Sequence, residues 1–176
     1  MAFAHDTEAA LVAAVELVNS AEEPDTLTEI GQLDEFFVKH VYTGVHSGDA
    51  AELTAVRALR TPLRRMLTSD RDTTVRLINE TLATHRALPQ LVRHGDVDYH
   101  IHAVPAQAPL PVRIAVETAM AMIDLVRSDE LSRLSRCADE DCEGLVLDLS
   151  RNRSRRYCST ACGNRNAVAA YRARKK

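Results

Sequence analysis

The chain has 176 residues, 45% of them hydrophobic and only 4% aromatic, with no Trp. That length suits one medium domain plus a small appendage, and the composition predicts an aliphatic, helix-rich core; no run approaches the roughly 18 apolar residues of a membrane span. The formal charge of −3 conceals polarity, because residues 151–176 carry nine Lys or Arg and no acid, while residues 1–150 hold 13 basic and 25 acidic side chains. Nucleic acid is the commonest partner for such a basic end, and a clasp onto the chain's own acidic body is the rival.

Leu11-Val12-Ala13-Ala14-Val15 resembles the apolar stretch of a signal peptide, but Asp6 and Glu8 precede it and Glu16 interrupts it. An amphipathic helix over 6–19 is the better reading, with Leu11, Ala14, Val15 and Val18 inward behind a cap at Asp6 or Thr7, and the expected location is cytoplasmic. Residues 26–40 repeat the period through Leu27, Ile30, Leu33 and Phe37, and a loop with Gly44 and Gly48 follows. Asp49 and Glu52 form a cap and reciprocal partner for a helix bearing Leu53, Val56, Leu59, Leu63 and Met66, in which Pro62 implies a kink or break. Another helix spans 72–86, with Val75, Ile78 and Leu82 inward.

The pattern changes over 88–103, where Leu91-Val92 and Tyr99-His100-Ile101-His102 flank His94-Gly95-Asp96 and predict a two-stranded ribbon. His100 and His102 share a face with Asp98, and His94 is nearby; solvent-facing histidines and a second metal site both fit. After Pro105 and Pro109, Pro111 suits the first turn of a helix carrying Ile114, Thr118, Ala121, Met122 and Leu125, and Leu131 and Leu134 lead this helical region into the C-terminal segment.

The chain's four cysteines are spaced Cys137-x4-Cys142-x15-Cys158-x3-Cys162. Two close pairs across a hairpin-sized interval are what a tetrahedral thiolate site needs, and structural Zn2+ is the default ion; two disulfides are the alternative. Cys137 and Cys142 close one knuckle. Leu145–Leu149 has strand character, Ser150–Ser154 forms a polar turn, and Arg155-Arg156-Tyr157 returns toward the metal. Ser159 caps a final helix with Cys162 in its first turn, a treble-clef-like plan. In that helix Asn166, Ala169, Ala170 and Ala173 lie on the Cys162 side, small enough to pack on the knuckle. Arg165, Arg172 and Lys176 form a basic edge that joins Arg151, Arg153, Arg155 and Arg156 as the candidate nucleic-acid surface. Six phosphate contacts would give a log–log salt slope of roughly −5.

Cys162-Gly163-Asn164-Arg165 and the run Asp148-x-Ser150-Arg151-Asn152-Arg153-Ser154-Arg155-Arg156-Tyr157-Cys158-Ser159 resemble the CGNR zinc finger family across residues 136–174. Upstream, Glu16-Leu17-Val18-Asn19-Ser20 and Arg57-Ala58-Leu59-Arg60 are similar to segments of the ABATE domain that usually precedes this finger. The resemblance implies Cys137, Cys142, Cys158 and Cys162 as ligands, Arg151, Arg155, Arg156 and Arg165 as family basic positions, and a bacterial stress-induced transcription regulator. Tyr157 stands where the family often has Trp, Glu143 precedes Gly144 where Gly and a large apolar residue are more usual, and Ala167-Val168-Ala169-Ala170 replaces a stretch often richer in Lys and Arg.

The expectation is therefore a mainly α chain with a small β-hairpin element, a helical domain over 1–131 and a finger over 132–176. No nucleophile motif, phosphate-binding glycine loop or metalloprotease helix appears, so no enzyme is expected. DNA is the first partner considered. A protein-interaction module, a homodimer through the helical domain, and a ligand-binding body with a purely structural finger are the alternatives.

Overall fold

The structure, a computed structural model, describes residues 3–94 and 97–175, with the side chains of His94 and Val97 outside that description. Its body is built from α1 (His5–Asn19), α2 (Ile30–Lys39), α3 (Ala50–Ala58), α4 (Arg60–Thr68), α5 (Arg71–Thr84) and α6 (Leu110–Arg127). A ribbon of β1 (Gln90–His94) and β2 (Val97–His102) lies between α5 and α6 in sequence. The C-terminal segment holds β3 (Leu134–Arg136), β4 (Leu145–Leu147) and α7 (Thr160–Ala173). Among the described residues no helix is long and apolar enough to cross a membrane.

Local chemistry sets the helix boundaries. At the start of α2, the Gln32 side chain accepts from the backbone N–H of Glu29 at 3.0 Å. Asp49 accepts from Glu52 N–H at 2.8 Å before α3, and Asp70 from Thr73 N–H at 2.9 Å before α5. The single helix expected across Pro62 is two, divided at Leu59, which puts Pro62 in the first turn of α4 where no intrahelical N–H is required. A side chain at Gly44, where φ is +92°, would run into the Ala106 carbonyl, so this loop passes the segment ahead of α6 only as glycine.

The two richest apolar helices, α1 and α6, form the central pair, with α5 against α6 and α4 against α1. Leu11, Leu17, Val18, Ile114, Met122 and Leu125 are fully enclosed there. Leu145 and Leu147 of β4 belong to the same cluster, so the C-terminal segment completes the body's core. Asn19, at the end of α1, imitates a strand partner. Its Nδ2 donates to Leu145 O at 2.8 Å and its Oδ1 accepts from Leu145 N–H at 2.6 Å. Arg64 ties the same edge, donating to Glu143 O at 2.6 Å and pairing with Glu22 at 2.6 Å.

Three sequence expectations are corrected. Leu131–Arg133 is a 3-10 turn and Leu134 opens a strand, so the helical region stops at Arg127. β4 pairs antiparallel with β3, in the register Leu134↔Leu147 and Arg136↔Leu145, and not with residues 155–157. The partner was hidden because Leu-Ser-Arg is too short and mixed to read as a strand alone. Ala169, Ala170 and Ala173 are exposed rather than packed, since α7 leaves the knuckle after Asn166 and runs out into solvent.

One interior feature lies far from the cysteines. Arg113 of α6 donates to Ala108 O at 3.1 Å and to the Val45 carbonyl, and Glu117 sits one turn on. Burial raises the Glu117 carboxyl from 4.5 to about 7, against the opposing pull of Arg113. Because the folded value is raised, the stability this group contributes is present below pH 4.5 and is lost as pH rises through about 7.

Two outcomes follow from this packing. Asn19→Ala strands both polar groups of Leu145, and denaturant unfolding should register a loss of about 1–3 kcal/mol. Glu117→Gln should flatten the fall in stability between pH 4.5 and about 7 in the same assay.

Candidate metal centre

The four cysteines arrive from two local structures. Cys137 follows β3 and Cys142 precedes β4, so the first pair sits in the loop of a tight hairpin whose neck is closed by Cys137 N–H donating to Gly144 O at 2.8 Å. Cys158 and Cys162 straddle Ser159, whose side chain caps α7 by accepting from Cys162 N–H at 3.2 Å. Ala138 N–H donates to Arg156 O at 2.8 Å and joins the two halves.

All four Sγ atoms lie within 4.8 Å of one another, and among the described residues this is the one group of three or more ligating side chains able to hold a metal ion. Cys142 and Cys158 sulfurs are 3.5 Å apart, Cys158 and Cys162 sulfurs 3.8 Å. Four sulfurs about 2.3 Å from one tetrahedral ion stand about 3.8 Å from each other, so the spacing fits such an ion. A disulfide needs about 2.05 Å, and all four cysteines are free thiols.

Several hydrogen-bond donors reach the sulfurs. Gly144 N–H donates to Cys142 Sγ at 3.4 Å, Cys158 N–H to Cys137 Sγ at 3.4 Å, and Arg165 Nη2 to Cys162 Sγ at 3.3 Å. The start of α7 adds the positive end of a helix dipole. Burial pushes the Cys142 and Cys158 thiols up from their ordinary values. Burial acts the same way on Cys137, but hydrogen bonds from Cys158 and Asp139 outweigh it and bring this thiol down. Crowding is severe on the remaining side: a Cβ on Gly144 would stand 2.9 Å from Cys158 Sγ and 3.2 Å from Cys142 Sγ.

The arginines sort into two kinds. Arg165 is bound to buried Asp139, with Nη2 at 2.6 Å and Nε at 2.8 Å, which holds the Asp139 carboxyl below its ordinary range. Arg153 pairs with Glu130 of the body at 2.7 Å and reaches Ser132 at 3.3 Å. Arg155 turns back onto the carbonyls of Tyr157 and Cys158. Arg151, Arg156 and Arg172 are exposed and make no ion pair among the described residues, with Arg156 lying over the Tyr157 ring at 6.0 Å. Lys176 lies outside the described residues.

Sequence reasoning missed Gly144, Asp139 and Asn19 as parts of this centre. A glycine two residues after Cys142 was the available signal for the first. Asp139 is one of three acids in Asp139-Glu140-Asp141, and nothing in the pattern separates the buried one from its neighbours. On the ribbon, His100 Nε2 and His102 Nε2 are 3.0 Å apart, while the His94 side chain lies outside the described residues.

Gly144→Ala should force the two thiols apart, lowering the thermal midpoint of unfolding and raising the reactivity of Cys142 and Cys158 toward a thiol reagent. Family models match the chain in two places: the CGNR zinc finger over residues 133–175, and the ABATE model, described as "Putative stress-induced transcription regulator", over residues 11–129. No curated protein matches it. With most of its length accounted for by that second match, the chain belongs to the ABATE family and ends in a CGNR zinc finger.

Proposed function

We propose that the chain is a zinc-dependent transcription regulator whose C-terminal finger grips the phosphate backbone of DNA, the helical body serving as its sensory or dimerising platform. The observation that supports this most is the division among the basic residues. Arg153 and Arg165 are tied to Glu130 and Asp139. Arg151 and Arg156 in the segment before α7, and Arg172 and Arg174 at its C-terminal end, stand exposed and make no ion pair among the described residues. Lys175 is exposed beside them, over the Tyr171 ring at 4.8 Å. The clasp reading thus accounts for part of the basic charge and leaves the rest for an anionic partner.

Cys137, Cys142, Cys158 and Cys162 would hold Zn2+, which when bound supplies the crosslink that this segment's own packing lacks. That packing is meagre, since its separate cluster consists of Val146 and Tyr157 with the four cysteines themselves. A shell of four thiolates leaves no open position for a substrate, which supports a structural ion and a non-enzymatic chain. Reduced, metal-ready thiols also favour the cytoplasm. Exposed Val168 and Tyr171 on α7 favour a protein partner as the second reading.

Fluorescence anisotropy with zinc-loaded protein and mixed-sequence duplex DNA tests the proposal. Five phosphate contacts predict a log–log salt slope of about −4 to −5, and replacing Arg151, Arg156 and Arg172 by Ala should reduce its magnitude by about 2 to 3. Salt-insensitive or absent binding contradicts the reading, and retention of an acidic protein instead selects the second. Arg165→Ala should weaken zinc retention about 10- to 100-fold in competition with a chelator, because it removes the donor to Cys162 Sγ. Chelation should expose residues 151–175 to protease while α1–α6 keep their helical signal.

A further inference from the structure

The ribbon is built the wrong way round for a chain that stands alone. In a strand pair lying on a core, apolar side chains face inward and polar ones face water. Here Leu91 and Ile101, directly opposite each other in the register, share the face that looks into solvent. Tyr99 extends the same exposed patch along β2, within reach of Leu91 across the ladder. On the opposite face Val92, His100 and His102 are half-buried. Leu91 is 69% exposed, Tyr99 66% and Ile101 43%, and Leu88 at the base of the ribbon is 72% exposed. We propose that this face is a homodimer interface, on which the same ribbon face of a second copy of the chain packs about a two-fold axis.

Strand count and area both point to a second copy. A two-stranded ribbon is marginal without an apolar face to pack on, and three or more strands around such a face are what stabilise it. Among the described residues β1 and β2 have only each other as neighbours. Two identical ribbons stacked face to face, at the usual sheet separation of about 10 Å, bring four strands around one small core. Fully exposed residues of this size present roughly 200 Å² each, so Leu88, Leu91, Tyr99 and Ile101 offer about 500 Å². A standard dimer buries roughly 800 Å² per partner, about 65% of it apolar, which is a similar amount.

The geometry favours face-to-face contact over edge-to-edge pairing. Pro89 stands just ahead of β1, and the register shifts beyond Val92, two devices that blunt a strand edge. On the other side of the ribbon, Ile101 N–H donates to Asp6 Oδ2 at 3.1 Å, which holds β2 to the start of α1. Arg93 and Asp98 are exposed in the same ribbon and opposite in charge, so two copies meeting here need not match like with like. The dimerising role proposed for the helical body thereby acquires a surface.

Sedimentation velocity of the zinc-loaded full chain, without DNA, over roughly 1 to 200 μM tests the proposal. The expected result is a concentration-dependent species of twice the 19.5 kDa chain mass. Leu91→Thr and Tyr99→Thr keep strand propensity while removing apolar surface, and each should weaken the association about tenfold or more. Val38→Thr, at an exposed valine on α2, should leave it unchanged. Unchanged circular dichroism and zinc content in all three variants exclude unfolding as the cause. A monomer throughout the range overturns the proposal, as does a dimer that both ribbon substitutions leave intact. Since no DNA is present, either result is separate from the outcome of the anisotropy experiment.

Discussion

The convergence of four thiols on a space sized for one ion is the constraint on which the C-terminal segment depends. Residues 134–175 have almost no apolar interior of their own, and their small cluster is mainly sulfur. A structural zinc ion, whose binding is worth about 10–16 kcal/mol in small fingers, would allow such a segment to hold one conformation. The details nearby serve the same end. Gly144 leaves room for the sulfurs, Ser159 starts α7 at the point that delivers Cys162, and Arg165 offsets thiolate charge while Asp139 fixes its direction.

That centre is not hung on a tether. β4 closes the hydrophobic core that α1 and α6 begin, and Asn19 and Arg64 hydrogen-bond its edge from the body side. On the far side of the hairpin, buried Arg133 donates to Asp148 O at 2.9 Å and pairs with Glu130 at 2.9 Å, and Glu130 also takes Arg153. A rearrangement of α1 or α4 would therefore be felt at the first cysteine pair within a few residues. This supplies a short mechanical route from the helical body to the four-cysteine segment, without a flexible linker between them.

The sequence made the helices and the cysteine cluster legible for the same reason: both are written in spacing. A 3.6-residue apolar period marks α1, α3–α4, α5 and α6, and the Cys pairs announce their own partnership. What could not be read depends on partners distant in the chain. The Leu-Ser-Arg of β3 becomes a strand only beside β4, and Leu145 and Leu147 look like local strand residues until α1 is placed against them. The alanines of α7 fit a packed face by helical geometry, but the knuckle is too small to reach beyond Asn166. Charge counting likewise found the basic tail, yet could not tell that Arg165 and Arg153 are internally bound while Arg151 and Arg156 are not.

X-ray absorption at the zinc edge of protein purified under reducing conditions measures the central claim most directly. A first shell of four sulfurs at about 2.3 Å is the predicted result. A shell containing nitrogen or oxygen, or protein that holds no zinc while α7 stays folded on the hairpin, would contradict it.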